Sequence, residues 1–375
     1  MIKIYHEFDR LSIYLHSIAI KVIICYNYST PKFLYFMRIK TMETAKTMHA
    51  AVLHAVGDLR YEEVAFPTVA DDEVLVKVKN CGICGSDVGR VLAHGTYHFP
   101  TIPGHEFSGE VVFDAENKLT GKRVAVFPLL PCFSCENCKE ERYANCTNYN
   151  YYGSRCDGGY AEYIAVKRFN LVELPDGVSY EEGAMCEPTA VGLHAIKKLG
   201  VKKGDAVLIT GAGPIGLIAA QWAKSYGAEK IYFIDNDPTK IEYLKKLGYE
   251  LYDNQPINCA LEGTGASVPL AMVIEALPAG AKAVLMGNPA RDIALPAKTY
   301  QAILRKELHF EGTWNSSYAA NANDWRDAMT AVAEGKISLK PLITHHVALK
   351  DALSAIQMMN DRTEFYCKVM IDNER

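Results

Sequence analysis

The sequence predicts an α/β chain in two parts: an antiparallel β barrel with long loops, then a doubly wound parallel sheet. Three observations carry this. The chain has 375 residues, too many for one typical core and suited to two. From residue 48 onward, short β runs alternate with glycine-punctuated loops. From residue 206 the texture changes to strand, helix, strand, helix, the pattern of a parallel sheet crossed by helices.

Residues 1–47 stand apart from this plan. They are crowded with Ile, Tyr, Phe, Lys and Asn and show no sustained period. Their most apolar part, 11–25, is interrupted by His16 and Lys21 and falls short of the ~20 residues a membrane span needs. No small-residue cleavage site follows, as a signal peptide requires. The expectation is an over-extended start outside the fold, with the functional chain beginning at Met42 or Met48.

Within the fold, 50–53 and 74–79 read as strands. Gly82, Gly85, Gly89 and Gly95 punctuate a loop-rich stretch up to His105. Residues 107–113 and 123–127 read as further strands, and 184–199 has a helical pattern. Then come a strand at 206–210, a helix at 215–225, a strand at 230–235 and a helix at 238–247. Later strands are expected at 258–261, 283–286 and 308–312.

Composition excludes some functions. The net charge of −4 gives nucleic-acid binding no electrostatic support. Five of the 11 cysteines stand at metal-ligand positions, which favours a reducing, cytoplasmic compartment over a disulfide framework. Cys25, Cys81, Cys156, Cys186, Cys259 and Cys367 read as small buried hydrophobes.

The motifs carry the chemistry. Cys132, Cys135, Cys138 and Cys146 follow at spacings of three, three and eight. Four thiolates so placed fill the tetrahedron of a Zn²⁺ ion and leave no position for reaction, so this site is structural. Cys84 in GICGSD, with His105 and Glu106 in PGHEFSG, offers the mixed donors of a zinc site that keeps a position open. Such an ion lowers the pKa of an alcohol hydroxyl. Glu187, in CEPTAVGLHA, reads equally as a fourth ligand or nearby base and as a carboxylate favoured at a helix N-terminus.

Gly211, Gly213 and Gly216 form GAGPIG after a β run. Pro214 and Ile215 complete the motif and open the next helix, whose N-terminus suits a pyrophosphate. Asp235 ends the following strand, 19 residues after Gly216. A carboxylate there accepts from ribose hydroxyls and repels a 2′-phosphate, which favours NAD over NADP. Lys240 reads as a solvated helix face.

Together GICGSD, PTIPGHEFSGEVV, VAVFPLLPCFSCENC, YGSRCDGGYAEYIAVKR, CEPTAVGLHA, GAGPIGL, ILRKEL and GTWNSSY resemble the zinc-containing medium-chain dehydrogenase/reductase family. PLLPC, the GSR-x-DGG segment and RKEL point to its polyol-phosphate branch. The resemblance implies a GroES-like catalytic domain with a structural-zinc lobe over 48–194 and a Rossmann NAD-binding domain over 195–312. The chain then returns to the catalytic domain over 313–375. It implies two Zn²⁺ per chain, NAD, and a homo-oligomer, dimer or tetramer. Cys84, His105, Glu106 and Glu187 match the family's catalytic zinc shell. Ser86 matches the hydroxyl that relays the substrate proton.

Three features depart from the family. Many relatives carry a His where this chain has Gly89, which leaves no matching relay group beyond Ser86. Cys156 stands where relatives often have Arg. Only 248–257 separates the helix ending near Leu247 from the strand of CALEGTG. A parallel crossover alone needs about 10–12 residues, so one edge strand of the nucleotide sheet is expected to be missing, with the sheet ending at 230–235.

The implied reaction is oxidation of a secondary alcohol of a polyol phosphate, galactitol 1-phosphate to tagatose 6-phosphate. The alternatives are a neutral polyol, a pentitol phosphate or a vicinal diol. Arg90 and Arg155 are the candidate phosphate ligands, with Arg305 and Lys306 behind them. A decayed, non-catalytic zinc- and nucleotide-binding protein is the alternative of another class, supported by the shortened nucleotide half.

Overall fold

The computed structural model describes residues 46–375. The reading of the first 47 residues as an extension therefore lies, up to residue 45, outside the described residues. The first strand opens at Thr47, one residue before the expected boundary. Among the described residues, no helix is long and apolar enough to cross a membrane.

Strands β1 (Thr47–Ala55) and β2 (Asp58–Ala65) form a hairpin. The first large sheet is built on β3 (Glu73–Ile83). Val74, Leu75, Val76 and Val78 on β3 are all buried, a run without polar alternation that suits a strand covered on both faces. Around it stand β4 (Glu106–Phe113), β5 (Arg123–Val126), β6 (Tyr163–Lys167) and β7 (Leu171–Glu173). Two strands from the end of the chain, β14 (Ile343–Val347) and β15 (Lys368–Asp372), complete the sheet. The order is β14-β15-β3-β4-β5-β7, with β6 also paired to β3.

The second sheet has six parallel strands in the order β10-β9-β8-β11-β12-β13. They are β8 (Ala206–Thr210), β9 (Lys230–Ile234), β10 (Glu250–Leu251), β11 (Cys259–Glu262), β12 (Lys282–Leu285) and β13 (His309–Gly312). The chain reverses its sense of travel at β8, which pairs with both β9 and β11. Ligands bind outside the strand ends at such a switch point.

The edge strand expected to be missing is present. Glu250 lies opposite Tyr232 and Leu251 opposite Phe233. The Tyr252 N–H extends the pairing, donating to the Phe233 carbonyl at 2.8 Å. Gly248, at φ +80°, turns the chain out of the preceding helix, and the strand starts two residues later. What the short segment lacks is the crossover helix. Residues 252–258 return directly to β11, and the Asn258 N–H donates to the Ala206 carbonyl at 2.8 Å. The sheet keeps its six strands, so the shortening removes the crossover helix but not the edge strand.

One helix links the two sheets. Helix α1 (Cys186–Leu199) buries Ala190, Leu193 and Ile196, the i, i+3, i+6 side of an amphipathic helix. It packs on α2 (Pro214–Ser225). A methyl at Gly192 would lie 3.0 Å from Ile218 Cγ2, and Trp222 Nε1 donates to the Thr189 carbonyl at 3.1 Å. The first turn of α1 carries Glu187 and its body touches the helix that follows the glycine-rich turn.

Candidate metal and dinucleotide sites

Strand register assembles the first group. In the antiparallel β3–β4 pair, Gly82 lies opposite Glu106. In the β3–β15 pair, Ile83 lies opposite Val369. The end of β3 and the starts of β4 and β15 therefore meet at one corner. Cys84 follows the first, His105 and Glu106 open the second, and Lys368 opens the third. A side chain at Gly82 would put its Cβ 2.4 Å from Glu106 Oε2, so the carboxylate occupies the room that glycine leaves.

Cys84, His105 and Glu106 present ligand atoms within 4.8 Å of one another. His105 and Glu106 are buried, while Cys84 is partly open. Glu187 is buried nearby but stands outside that group. Burial raises its pKa to about 7, with His105 opposing the rise and Glu106 adding to it.

Asp87 holds the group in place. It is fully buried. It accepts from the Cys84 N–H at 3.1 Å, Arg90 Nη1 at 3.1 Å and Tyr160 Oη at 3.1 Å. Its Oδ1 lies 3.2 Å from His105 Nδ1. Burial alone would raise the Asp87 pKa; His105, then Arg90 and the Cys84 amide, outweigh it and hold the carboxyl at about 2. With Nδ1 facing a carboxylate, His105 keeps Nε2 for a metal, the orientation that carboxylate partners impose on metal-binding imidazoles.

The second group is the four cysteines, again within 4.8 Å of one another. Cys132 Sγ lies 3.9 Å from Cys138 Sγ, and Cys135 Sγ lies 3.9 Å from Cys146 Sγ. The tetrahedral edge for zinc–sulfur bonds of about 2.3 Å is about 3.8 Å. The donors thus fit zinc in type and in spacing.

Gly211, Gly213, Pro214, Ile215, Gly216 and Asp235 all line one cleft of about 1100 Å³. The glycine-rich turn is tight: a Cβ at Gly216 would stand 2.1 Å from the Gly211 carbonyl oxygen. Gly213 precedes α2, and Pro214 occupies its first turn. Asp235 Oδ2 accepts from the Ala212 N–H at 2.7 Å, and Oδ1 accepts from the Asp237 N–H at 2.9 Å. Asp237, by contrast, caps the helix Pro238–Lys246. Asp235 therefore ties the turn to the end of β9 and retains lone pairs toward the cleft.

The comparisons with known proteins agree with this geometry. Residues 70–176 match the model of the alcohol dehydrogenase GroES-like domain, and 214–334 that of the zinc-binding dehydrogenases. The chain is 36% identical over 334 residues to galactitol 1-phosphate 5-dehydrogenase of Escherichia coli (strain K12), covering 83% of this chain and 96% of that one. This chain belongs to the zinc-binding dehydrogenases. Its similarity to sorbitol dehydrogenase 1 of Saccharomyces cerevisiae is 32% over 337 residues, covering 82% and 92%. The crystal structure of galactitol-1-phosphate dehydrogenase from Escherichia coli superposes with a TM-score of 0.81 at 34% identity, covering 87% of this chain and all of that one. The expected GroES-like and Rossmann architecture of such dehydrogenases is the one observed.

Several side chains of this zinc-binding dehydrogenase site escape a reading of motifs. Lys368 Nζ donates to Glu106 Oε2 at 2.6 Å, and both residues are buried. The only local signal was a lysine opening an apolar strand. Glu106 lowers the cost of burying the Lys368 cation, and the lysine's pKa is raised despite desolvation. Arg362 and Lys240 line the dinucleotide cleft beside Asp235; Lys240 is therefore more than a solvated helix face. The His94 ring fills the space beside Gly89, where an added Cβ would meet its Cε1 at 2.6 Å. Of the proposed phosphate ligands, Lys306 is committed elsewhere. Its Nζ donates to the carbonyls of Ile274, Glu275 and Leu277 at 3.3, 2.8 and 2.8 Å.

In the zinc-free protein Lys368→Met should be destabilising by about 3–5 kcal/mol, because it leaves Glu106 as a buried charge without its partner. Urea unfolding of the variant against the parent checks this. An unchanged midpoint would show that Glu106 is compensated by other groups.

Proposed function

We propose that this chain is an NAD- and zinc-dependent dehydrogenase that oxidises a secondary alcohol of a polyol phosphate, galactitol 1-phosphate to tagatose 6-phosphate. The observation that carries it is the Cys84–His105–Glu106 group with Ser86 two residues after Cys84, joined through α1 to the dinucleotide cleft. In this reading 48–194 and 313–375 form the catalytic domain and 195–312 the nucleotide domain. The work is done in the cytoplasm, by a homo-oligomer.

Cys84 Sγ, His105 Nε2 and a Glu106 oxygen hold the catalytic zinc, with Glu187 as the remaining carboxylate at hand. The bound ion supplies Lewis-acid polarisation of the alcohol oxygen. Cys132, Cys135, Cys138 and Cys146 hold the structural zinc.

Ser86 moves the proton. Its Oγ accepts from Arg90 Nη1 at 2.8 Å, which takes one of its two lone pairs. The other lone pair takes the substrate proton while the hydroxyl passes its own to solvent water. Arg90 thus orients the relay, and Asp87 in turn holds Arg90. With NAD bound, its nicotinamide would accept hydride from the carbon that bears this hydroxyl, so that H⁺ leaves the oxygen, H⁻ leaves the carbon and a ketone remains. The turn from Gly211 to Gly216 and the α2 N-terminus hold the pyrophosphate, and Asp235 accepts from the ribose hydroxyls.

The substrate assignment rests on the polyol-phosphate motifs and on the named activity of the Escherichia coli relative. The yeast sorbitol dehydrogenase keeps a neutral polyol as the second reading. Following NADH absorbance with a panel of polyols and polyol phosphates separates them. Turnover of galactitol or sorbitol as efficient as that of the phosphate ester would overturn the first reading.

The cofactor makes a separate prediction. NAD should be preferred over NADP at least tenfold, about 1.4 kcal/mol. Asp235→Ala should narrow that ratio, since it removes one of the two carboxylates that line the cleft with Lys240 and Arg362, leaving Asp237. Equal use of both cofactors by the parent protein would show that Asp235 does not read the ribose.

A further inference from the structure

Arg155 has an unusual setting for an arginine. Its guanidinium carbon lies 4.0 Å from the Tyr97 ring centroid and 4.4 Å from that of Tyr149. Each ring covers the cation within ordinary cation–π range. Two loops bring this about. The Tyr97 N–H donates to the Ser154 carbonyl at 3.4 Å. His98 bridges the same loops, with Nε2 3.1 Å from the Arg155 carbonyl and Nδ1 3.1 Å from the Pro100 carbonyl. The cage is thus set by the backbone on both sides.

The cage leaves the edge of the guanidinium. Nη1 makes one long contact, 3.5 Å to the Tyr149 carbonyl. Among the described residues, no carboxylate stands within ion-pair distance of Arg155, whereas the nearby Arg90 is tied to the buried Asp87. Arg90 is a neutralised cation and Arg155 is not.

Ring contacts also link Arg155 to the metal group. The Tyr149 ring meets Tyr151 edge to face at 6.3 Å, and Tyr151 meets the His105 ring at 5.9 Å. An aromatic wall two rings long therefore runs from His105 to the caged cation. A guanidinium whose faces are covered presents its N–H fork edge-on, the geometry that pairs with phosphate through two parallel hydrogen bonds.

We infer that Arg155, held between Tyr97 and Tyr149, is the anchor for the phosphate of the substrate and selects phosphomonoesters over neutral polyols. This rests on the dehydrogenase reading above. A hexitol phosphate oxidised at C5 places a four-carbon run and an ester oxygen between its reacting carbon and its phosphorus, so the anion is read apart from the metal group. A phosphomonoester carries a charge of about −1.5 to −2 at neutral pH, which the unpaired cation offsets. Arg305, exposed at the end of the helix Ala297–Arg305 in the nucleotide sheet's neighbourhood, has no such path to His105.

The test uses the zinc-loaded full chain. The ratio of kcat/KM for hexitol 1-phosphate to that for the free hexitol is measured in the parent, Arg155→Gln and Arg155→Lys. Inorganic phosphate is used as a competitive probe. The expected result is a ratio at least tenfold lower in Arg155→Gln, carried by KM for the ester. Inhibition by phosphate should weaken in parallel, and Arg155→Lys should recover part of both. Thermal melting is read alongside, and Arg155→Lys keeps the cation if Arg155→Gln folds poorly. A parent that favours the ester and an Arg155→Gln variant with the same ratio would overturn the anchor while leaving the dehydrogenase reading intact. Equal losses on ester and free hexitol would overturn it too, and make Arg155 a brace for the loops. A parent with no preference for the ester would remove the polyol-phosphate reading itself, and the anchor with it.

Discussion

Cys84→Ser is expected to abolish turnover while leaving the protein folded. Removing one preorganised electrostatic stabiliser from an active site already costs about 10²–10³ in rate; loss of the ligand that fixes a Lewis acid should cost more. The variant's structural consequences should be small. Cys84 is partly exposed and precedes a helix of five residues, Gly85–Gly89. The Asp87 carboxylate would still accept from the residue-84 amide, from Tyr160 and from Arg90, because none of those bonds uses the sulfur. Zinc content should fall from two ions per chain to one, with the melting temperature nearly unchanged. Retention of both ions with full activity would show that the Cys84 group is not the reactive metal site. A single ion in the parent protein would remove the two-site reading.

Cys135→Ser is expected to act on folding instead. Zinc binding to structural sites is folding free energy, about 10–16 kcal/mol in isolated zinc-finger peptides. The four cysteines lie in a lobe with little other cross-bracing. Its backbone pairing is a two-residue ladder, Leu129–Leu130 with Asn150–Tyr151. An aromatic cluster of Phe133, Tyr143 and Phe169 packs beside it. Losing one thiolate in four should lower stability by more than the ~1 kcal/mol of an ordinary substitution, seen as a large drop in melting temperature and loss of one zinc. The lobe also carries Tyr149, three residues after Cys146, so the Arg155 cage should loosen with it. Unchanged melting with both ions retained would show that the lobe folds without its metal.

The Lys368 and Arg155 effects differ from these in kind. Lys368 acts through a buried pair with Glu106, and Arg155 through a caged charge near the surface of the site. Neither residue lies in a metal-ligand motif, and each needs a partner from a distant segment, Glu106 for Lys368 and Tyr97 for Arg155.

Local chemistry determined much of this protein. Cys132, Cys135, Cys138 and Cys146 fall within fifteen residues, so spacing alone restricts them to one ion. GAGPIG sits between a β run and a helix pattern, and Pro214 with Gly213 begins α2 where the residues place it. His105 and Glu106 adjoin glycines that admit a close approach. Such features depend on steric and hydrogen-bonding rules that act over a few residues, and the sequence states them directly.

Other features were decided only by tertiary structure. The corner where Cys84, Glu106 and Lys368 meet depends on the registers of β3, β4 and β15, which join residues as far apart as Ile83 and Lys368, 285 positions in sequence. The edge strand β10 was misjudged because chain length was counted for a full crossover, whereas two hydrogen-bonding residues suffice when no helix follows. Arg155 reads in the sequence as a candidate phosphate ligand level with Arg90. Its lack of an ionic partner and its cover by Tyr97 and Tyr149 come from two loops joined through His98. The sequence by itself determined the ligand types, the nucleotide turn and the two-part α/β plan. The tertiary structure decided which charges are paired, because pairing depends on distances between segments that no local pattern encodes.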